Sequence, residues 1–297
     1  MAEKDIVYRS TVRLGNWYED LCLEKDEIKQ FLEERKKNQL LVQKARALFG
    51  NFYKEVLLGV ASEHVKFGSV IQLIPTDINI CQDIYKFPGQ SPALAIVINE
   101  KVVKTTQQIN NKCEVTLAYM NSPCIRNSFL LNKKDCIVDE NMATDVLKYG
   151  ESFRLQILEA DEEPLFIYSA PMNADLSTMV DITYTSSMNG QVNNSVGLCL
   201  QREMGPKNLI PSAYTWWKCQ HIDPEMRFAS IGTPVPSETP VVITHTATNK
   251  NLAVDSTVVQ TLFGTECVVS CQNYKGSSGL DGWQNRWMIH MGTEKKY

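Results

Sequence analysis

The sequence predicts a mainly β fold, a β-trefoil, preceded by an N-terminal extended segment and an amphipathic α-helix. Beyond residue 55, short runs rich in Val, Ile, Thr and aromatic residues alternate with turn-forming clusters, which is typical of β-strands. A large apolar residue followed by Gly recurs ahead of strand-like runs at Phe67, Tyr149 and Ile231, with 82 residues between one and the next. Such spacing indicates three pseudo-repeats.

The three repeats predict how the chain divides. We expect an N-terminal docking arm and helix over residues 1–54 and a trefoil over residues 55–297. The expected units span approximately 55–135, 136–220 and 221–297. None of these units can bury its apolar face alone, so a closed threefold arrangement with one shared core is favoured. A generic barrel or sandwich remains the alternative.

The N-terminal helix is predicted from about Glu24 to Phe49, because this stretch contains no Gly or Pro and carries apolar residues at helical spacing. Acidic residues crowd its first turns and basic residues lie near its end, as the helix dipole prefers. Gly50 is placed to end it. Two apolar patches are separated by the polar stretch at 33–37, so the helix is no continuous coiled-coil seam.

Composition restricts the classes of partner. The chain has a formal net charge of -4, which gives no general attraction for nucleic acid or anionic lipid. The N-terminus has no apolar signal-like region, and the longest apolar run is too short to cross a bilayer. Nine cysteines without a C-x-x-C pair fit reduced thiols. We expect a cytoplasmic protein with neither nucleic acid nor membrane as partner.

Signatures of catalysis and of cofactor binding are missing. The sequence contains no phosphate-binding glycine loop, nucleophile elbow or H-E-x-x-H motif. His245 and His290 lie on strands beside Cys267 and Cys271 and could in principle bind zinc, but we favour small buried thiols and partly buried, hydrogen-bonded histidines. We expect no enzyme activity, no cofactor, no metal and no catalytic residue.

The tryptophans allow two interpretations. Trp216, Trp217, Trp283 and Trp287 could form a stacking platform, although strand-closing tryptophans normally fill the core, which we favour for Trp217 and Trp287. The Q-x-W motif of ricin-type lectins is not repeated. Sugar binding is therefore only weakly supported. A soluble trefoil that binds a carbohydrate or a phosphorylated small molecule is kept as the alternative function.

The C-terminal unit resembles the MIR repeat of trefoil proteins through ITHTATNKNLAVDS, FGTECVVSC and NRWMIHMG. In such strands Val241, Ile243 and His245 alternate on one face and Trp287 and Ile289 on another. The chain as a whole resembles the cilia- and flagella-associated protein 161 family. This resemblance is carried by the C-terminal segments above, by the stretch at 216–253 and by VRLGNWYEDLCLEKDEIKQFLEERKKNQLLVQKAR at 12–46.

That resemblance implies a function, which the composition of the chain does not indicate. The family belongs to the microtubule inner proteins, which are non-enzymatic components of the lumen of the ciliary doublet microtubule. It implies a structural protein of the cilium or flagellum axoneme, in the cytoskeleton, that binds tubulin and other microtubule inner proteins. Such a protein would stabilise the A-tubule and support cilium motility.

The N-terminal arm is the expected docking surface, because its aromatic and aliphatic residues exceed what a free tail should expose. We expect Gly15 and Asn16 to form a turn that presents Trp17 as a plug. The basic run could meet acidic tubulin or could simply be solvated, and the helix could instead pack across the trefoil. The expected partner-binding residues are Gly15, Asn16, Trp17, Tyr18, Leu21, Ile28, Phe31, Arg35, Lys36 and Lys37.

Overall fold

The computed structural model describes residues 16–76, 91–98, 103, 108–109, 113–120, 122–133, 145–159, 164–169, 194–200, 213–276 and 279–292. Its helices are α1 (Asn16–Lys36), α2 (Leu41–Phe52) and the short α3 (Arg227–Ser230). Its strands are β1 (Val70–Pro75), β2 (Pro92–Val97), β3 (Glu114–Tyr119), β4 (Phe129–Lys133), β5 (Ser152–Ile157), β6 (Leu165–Ser169), β7 (Asn194–Leu200), β8 (Trp217–His221), β9 (Pro240–His245), β10 (Leu252–Thr261), β11 (Gly264–Cys271) and β12 (Arg286–His290). The prediction of a mainly β chain behind an N-terminal helix is confirmed.

Six strands form a closed antiparallel barrel. Strand β1 pairs with β4, β4 with β5, β5 with β8, β8 with β9, β9 with β12, and β12 again with β1. The ring closes because inward-facing residues of all six strands share one apolar core. Trp217 and Trp287 are fully buried in it, as predicted, and each indole nitrogen donates to a backbone carbonyl.

The other six strands form three hairpins, β2–β3, β6–β7 and β10–β11. The second strand of each hairpin pairs with the second strands of the other two. In chain order, every set of four strands therefore supplies a barrel strand, a hairpin and another barrel strand. Whether these sets are repeats in the evolutionary sense stays a prediction.

Three short segments ahead of β1, β5 and β9 hydrogen-bond to one another in a triangle. The Val65 N–H donates to the Val235 carbonyl (3.0 Å), Leu147 to Val65 (2.8 Å) and Val235 to Leu147 (2.8 Å). All three side chains are fully buried. The triangle ties the starts of three barrel strands together through backbone bonds.

The turn that follows each segment corrects the third of the predicted repeat positions. Gly68 and Gly150 have φ of 75° and 80°, and their N–H groups donate to β4 and β8. The corresponding bond to β12 comes from Glu238 (φ 56°), six residues beyond the predicted Gly232. The Glu238 carboxylate accepts the Met291 N–H (3.0 Å), which holds the side chain of a residue type that rarely adopts this conformation. In the third unit, Ser237-Glu238 and not Ile231-Gly232 therefore corresponds to Phe67-Gly68 and Tyr149-Gly150.

Candidate docking surface

Helix α1 presents one apolar stripe to solvent. At 100° per residue, Trp17, Leu21, Ile28, Phe31 and Leu32 all fall within about 100° of the helix circumference. Their exposed fractions range from 37% for Leu21 to 67% for Trp17, and no side chain between Trp17 and Lys36 is buried. The α1 stripe, as we call these five residues, thus lacks a cover within the described part of the chain.

The charged residues of α1 are solvated. Lys29 and Asp26 pair at 3.3 Å, and Lys37 and Glu33 at 4.0 Å, with all four side chains mostly exposed. Such exposed pairs contribute little to stability. Arg35, Lys36 and Lys37 end the helix as an exposed basic cluster, which suits the negative end of the helix dipole.

The first turn of α1 corrects the prediction of a shaped plug. Asn16 and Trp17 are helical, so they form no turn, and the helix begins at Asn16 instead of about Glu24. Trp17 packs edge-on against Tyr18, with ring centroids 6.0 Å apart. Gly15 lies outside the described residues. Of the predicted docking residues, the structure brings Trp17, Leu21, Ile28 and Phe31 onto one face and sets Tyr18 beside it.

A corner at Asn38 separates α1 from α2, whereas a single helix was predicted. Asn38 has φ of 54°, its N–H donates to the Arg35 carbonyl (3.3 Å), and the Gln39 N–H donates to the Glu34 carbonyl (2.8 Å). These two bonds are the Schellman motif that ends helices. Gln43 then donates to both the Arg35 carbonyl and Asn38 Oδ1, at 3.0 and 3.1 Å. The corner fixes the direction of α1 relative to α2.

Helix α2 is docked on the β domain, as we call the six-strand barrel together with its three hairpins. Leu48 and Phe52 are buried in the common core. Phe263, at the tip of the β10–β11 hairpin, packs against Phe49 and Phe52 with ring centroids 5.3 Å away in both cases. Gly50 lies inside α2 and does not end it. The corner thus joins α1, which has no buried side chain, to the anchored helix α2.

A buried ion pair lies beneath this aromatic contact. Arg126 and Glu266 pair directly, and both side chains are almost completely buried. Arg126 Nε also donates to the Ile96 carbonyl (2.7 Å), and the Thr116 hydroxyl donates to Glu266 (2.6 Å). The pair therefore has the additional hydrogen bonds that buried charges need. Sequence reasoning missed it, because the two residues are 140 positions apart.

The possible zinc ligands are explained by packing, and the described residues contain no cluster that could hold a metal ion. His245 is fully buried, with Nε2 2.9 Å from the Tyr214 carbonyl and Nδ1 2.8 Å from the Thr248 hydroxyl. Burial lowers its pKa. Burial also raises the pKa of the Cys271 thiol to about 12, so this thiol is unreactive at neutral pH.

The family model of the cilia- and flagella-associated protein 161-like domain matches residues 44–292, which is most of α2 and the entire β domain. The chain belongs to this family. Cilia- and flagella-associated protein 161 of Bos taurus is 27% identical over 292 residues, covering 98% of this chain and 84% of the bovine one. The Mus musculus protein of that name is 26% identical over 294 residues, covering 97% and 89%. A role connected with cilia or flagella follows from the family.

Similarity to solved structures is weaker. The SDF2-like protein from Arabidopsis thaliana gives a TM-score of 0.45 at 13% identity, covering 76% of this chain and 94% of that one. This similarity is too weak to assign a fold or a function. Among the helices that the structure describes, none combines the length and apolarity needed to cross a membrane.

Proposed function

We propose that the protein is a non-enzymatic structural component of the axoneme, a microtubule inner protein that binds tubulin and neighbouring inner proteins in the lumen of the doublet A-tubule. There it stabilises the lattice and supports cilium motility. The observation that carries the proposal is the exposed α1 stripe on a chain of this ciliary family. We also propose that the barrel and its three hairpins form an MIR-like β-trefoil, on the basis of their strand pairing.

The α1 stripe suits docking energetically. Complete burial of each apolar side chain contributes about 1.5–3 kcal/mol, so a partner that covers the stripe gains substantially. Binding usually loses part of such a gain to the ordering of flexible segments. That loss is reduced here, because α1 is already helical and is joined to α2 by a hydrogen-bonded corner at Asn38. Trp17, the largest and most exposed member, is the expected anchor.

The C-terminal end of α1 carries a local positive charge that could select its partner. The cluster of Arg35, Lys36 and Lys37 favours an acidic partner surface such as that of tubulin. The chain as a whole is acidic, with a net charge of -4, so general attraction to tubulin is not expected. Recognition then depends on the shape of the stripe and on this local basic end.

The test uses cells that build motile cilia without the endogenous protein. A tagged chain with Trp17→Ser and Ile28→Ser is compared with wild type after detergent extraction and salt washing of axonemes. We expect the wild type to stay with the axoneme and the double variant to fall at least tenfold. Leu23→Ser is the matched control, since Leu23 is 56% exposed on the opposite side of α1.

Cross-linking of the retained protein identifies its partners. Amine-reactive cross-linkers should join Lys36 or Lys37 to tubulin or to other inner proteins, and mass spectrometry reads the pairs. Equal retention of the double variant and wild type would remove the α1 stripe from the proposal. Cross-links only to proteins outside the microtubule would contradict the luminal location.

A further inference from the structure

One guanidinium of the β domain has two buried nitrogens without a hydrogen-bond partner. Arg154 lies on β5, between Phe153 and Leu155, whose side chains fill the core. Because neighbouring strand residues point to opposite faces, Arg154 lies on the outer face of the barrel. Only 8% of the residue is exposed.

Two aromatic rings cover this guanidinium. Arg154 Cζ lies over the ring of Phe166, 4.3 Å from the centroid, and over the ring of Trp216, 4.6 Å from the centroid. A cation is attracted to the face of an aromatic ring at such distances. The rings leave only the edge of the planar guanidinium for hydrogen bonding, because its N–H groups lie in its plane.

Two of the nitrogens in that plane have unused donors. Nε and Nη1 of Arg154 are buried and have no hydrogen-bond partner, and the described residues offer this side chain no ion pair. A cation in this position is usually paired, since burial without a partner is strongly unfavourable. Burial lowers the pKa of Arg154 accordingly. By contrast, Arg126 is the other deeply buried arginine that the structure describes, and it donates hydrogen bonds to a carboxylate and to a backbone carbonyl.

We propose that Arg154, flanked by Phe166 and Trp216, is a recognition site for a carboxylate on an acidic segment of a partner protein. Nε and Nη1 can each donate to a carboxylate oxygen, and a hydrogen bond between a guanidinium and a carboxylate is stronger than one to a neutral acceptor. A carboxylate carries a single negative charge, which balances a single guanidinium, whereas a phosphate would leave negative charge unbalanced. The cross-strand neighbour Asn132 is bonded to Gln156, so the immediate strand surface supplies neutral groups.

The site is close enough to the surface to be reached. Trp216, like Arg154, is 8% exposed, so both side chains reach the surface of the barrel, and we expect the Trp216 ring to shift when a carboxylate binds. The inference concerns the barrel and does not depend on the α1 stripe or on the proposed location.

Calorimetric titration of the full-length chain tests the site with defined probes. An acetylated, amidated tetraglutamate peptide should bind saturably, and the matching tetraglutamine peptide should not. Arg154→Met should weaken binding at least tenfold, and Arg154→Lys should weaken it severalfold because the planar group that stacks on the two rings and its Nε and Nη1 donors are replaced by an ammonium. Lys218→Met is the matched control: it removes a positive charge from the same face, one strand away, and should change binding less than threefold.

Thermal unfolding without peptide gives an independent readout. Arg154→Met should leave the melting temperature unchanged or raise it, because an unpaired buried charge is replaced by an apolar chain. A decrease larger than loss of the two cation–π contacts can explain would overturn the proposal, since it would indicate that Arg154 already has an internal ion-pair partner. Equal peptide binding by wild type and Arg154→Met, or no binding by wild type, would also overturn it. Tighter binding of inorganic phosphate, or acetate binding as tight as peptide binding, would exclude an acidic protein segment as the ligand.

Discussion

The guanidinium of Arg126 lies over the ring of Phe263, with 3.9 Å between Cζ and the ring centroid. One face of that ring thus meets a buried cation, while Phe49 and Phe52 of α2 pack around the same side chain. The contact connects the N-terminal helices to the barrel through one aromatic residue. It makes the position of α2 depend on the hairpin tip and on the ion pair beneath it.

Phe263→Ala should destabilise the docked helix. The change removes the ring contacts to Phe49, Phe52 and Arg126, and we expect the free energy of unfolding to fall by about 2–4 kcal/mol. Urea denaturation followed by circular dichroism measures the loss. Phe228→Ala is the control: Phe228 is 87% exposed, so its loss should stay within about 0.5 kcal/mol. Similar losses for both variants would contradict the contact.

Glu266→Gln should be strongly destabilising, because it leaves the buried Arg126 charge without its carboxylate. Removal of one partner from such a pair lowers the free energy of unfolding by about 3–5 kcal/mol. The double variant Arg126→Met, Glu266→Leu should recover most of that loss, since no isolated charge remains. Chemical denaturation of the three chains forms the test, and a double variant less stable than Glu266→Gln would show that the pair itself is required.

The corner between α1 and α2 should tolerate Gly at position 38 but not a β-branched residue. Asn38 has φ of 54°, which strains Val by about 1–2 kcal/mol and does not strain Gly. Asn38→Val should therefore speed hydrogen exchange at the amides of Asn38 and Gln39, which close the Schellman motif. Asn38→Gly keeps those bonds, so its exchange should stay close to wild type. Equal exchange in all three chains would mean that the corner is not held by this motif.

His245 should make stability fall on acidification. Burial lowers its pKa below the ordinary value of 6.5, although the bond to the Tyr214 carbonyl opposes this. The unfolded chain therefore binds a proton before the folded chain does, so stability is complete above pH 6.5 and declines below it, by at most about 1.4 kcal/mol per pH unit.

Denaturation of wild type and His245→Asn at pH 7.5, 6 and 5 isolates this effect. The variant should lose the His245 part of the slope, although it is less stable throughout. Asp281 does not interfere. Burial alone would raise the pKa of Asp281, but Lys275 and Arg227 hold it below 3.8, so its contribution is lost only at lower pH. Parallel slopes in the two chains would exclude His245 as the sensor.

Sequence reasoning located the strands and the buried tryptophans because their signal is local. The run VIQLIP became β1, and the runs around Val241 and Trp287 became paired barrel strands. It missed the corner at Asn38 because no Gly or Pro marks it, and only the tolerance of Asn for positive φ could have indicated it. It missed the third turn because Glu238 occupies a conformation for which Gly is expected.

The candidate sites were predictable to different degrees. The α1 stripe follows from helical periodicity, so most of its members were foreseen, although their exposure required the structure. The Arg154 site depends on residues brought together from β5, from β6 and from the residue before β8. Residue spacing along the chain carries no sign of such a long-range arrangement.

Closure of the six-strand ring also affects how copies of this protein can be crowded together. Each ring strand has a hydrogen-bonded strand on both sides, so the barrel wall offers no free backbone edge to which a stray strand could add. Association must then use side chains, and a geometry fixed by side chains can be altered one residue at a time. A high local concentration of this chain should therefore not lead to amyloid-like polymerisation through the barrel.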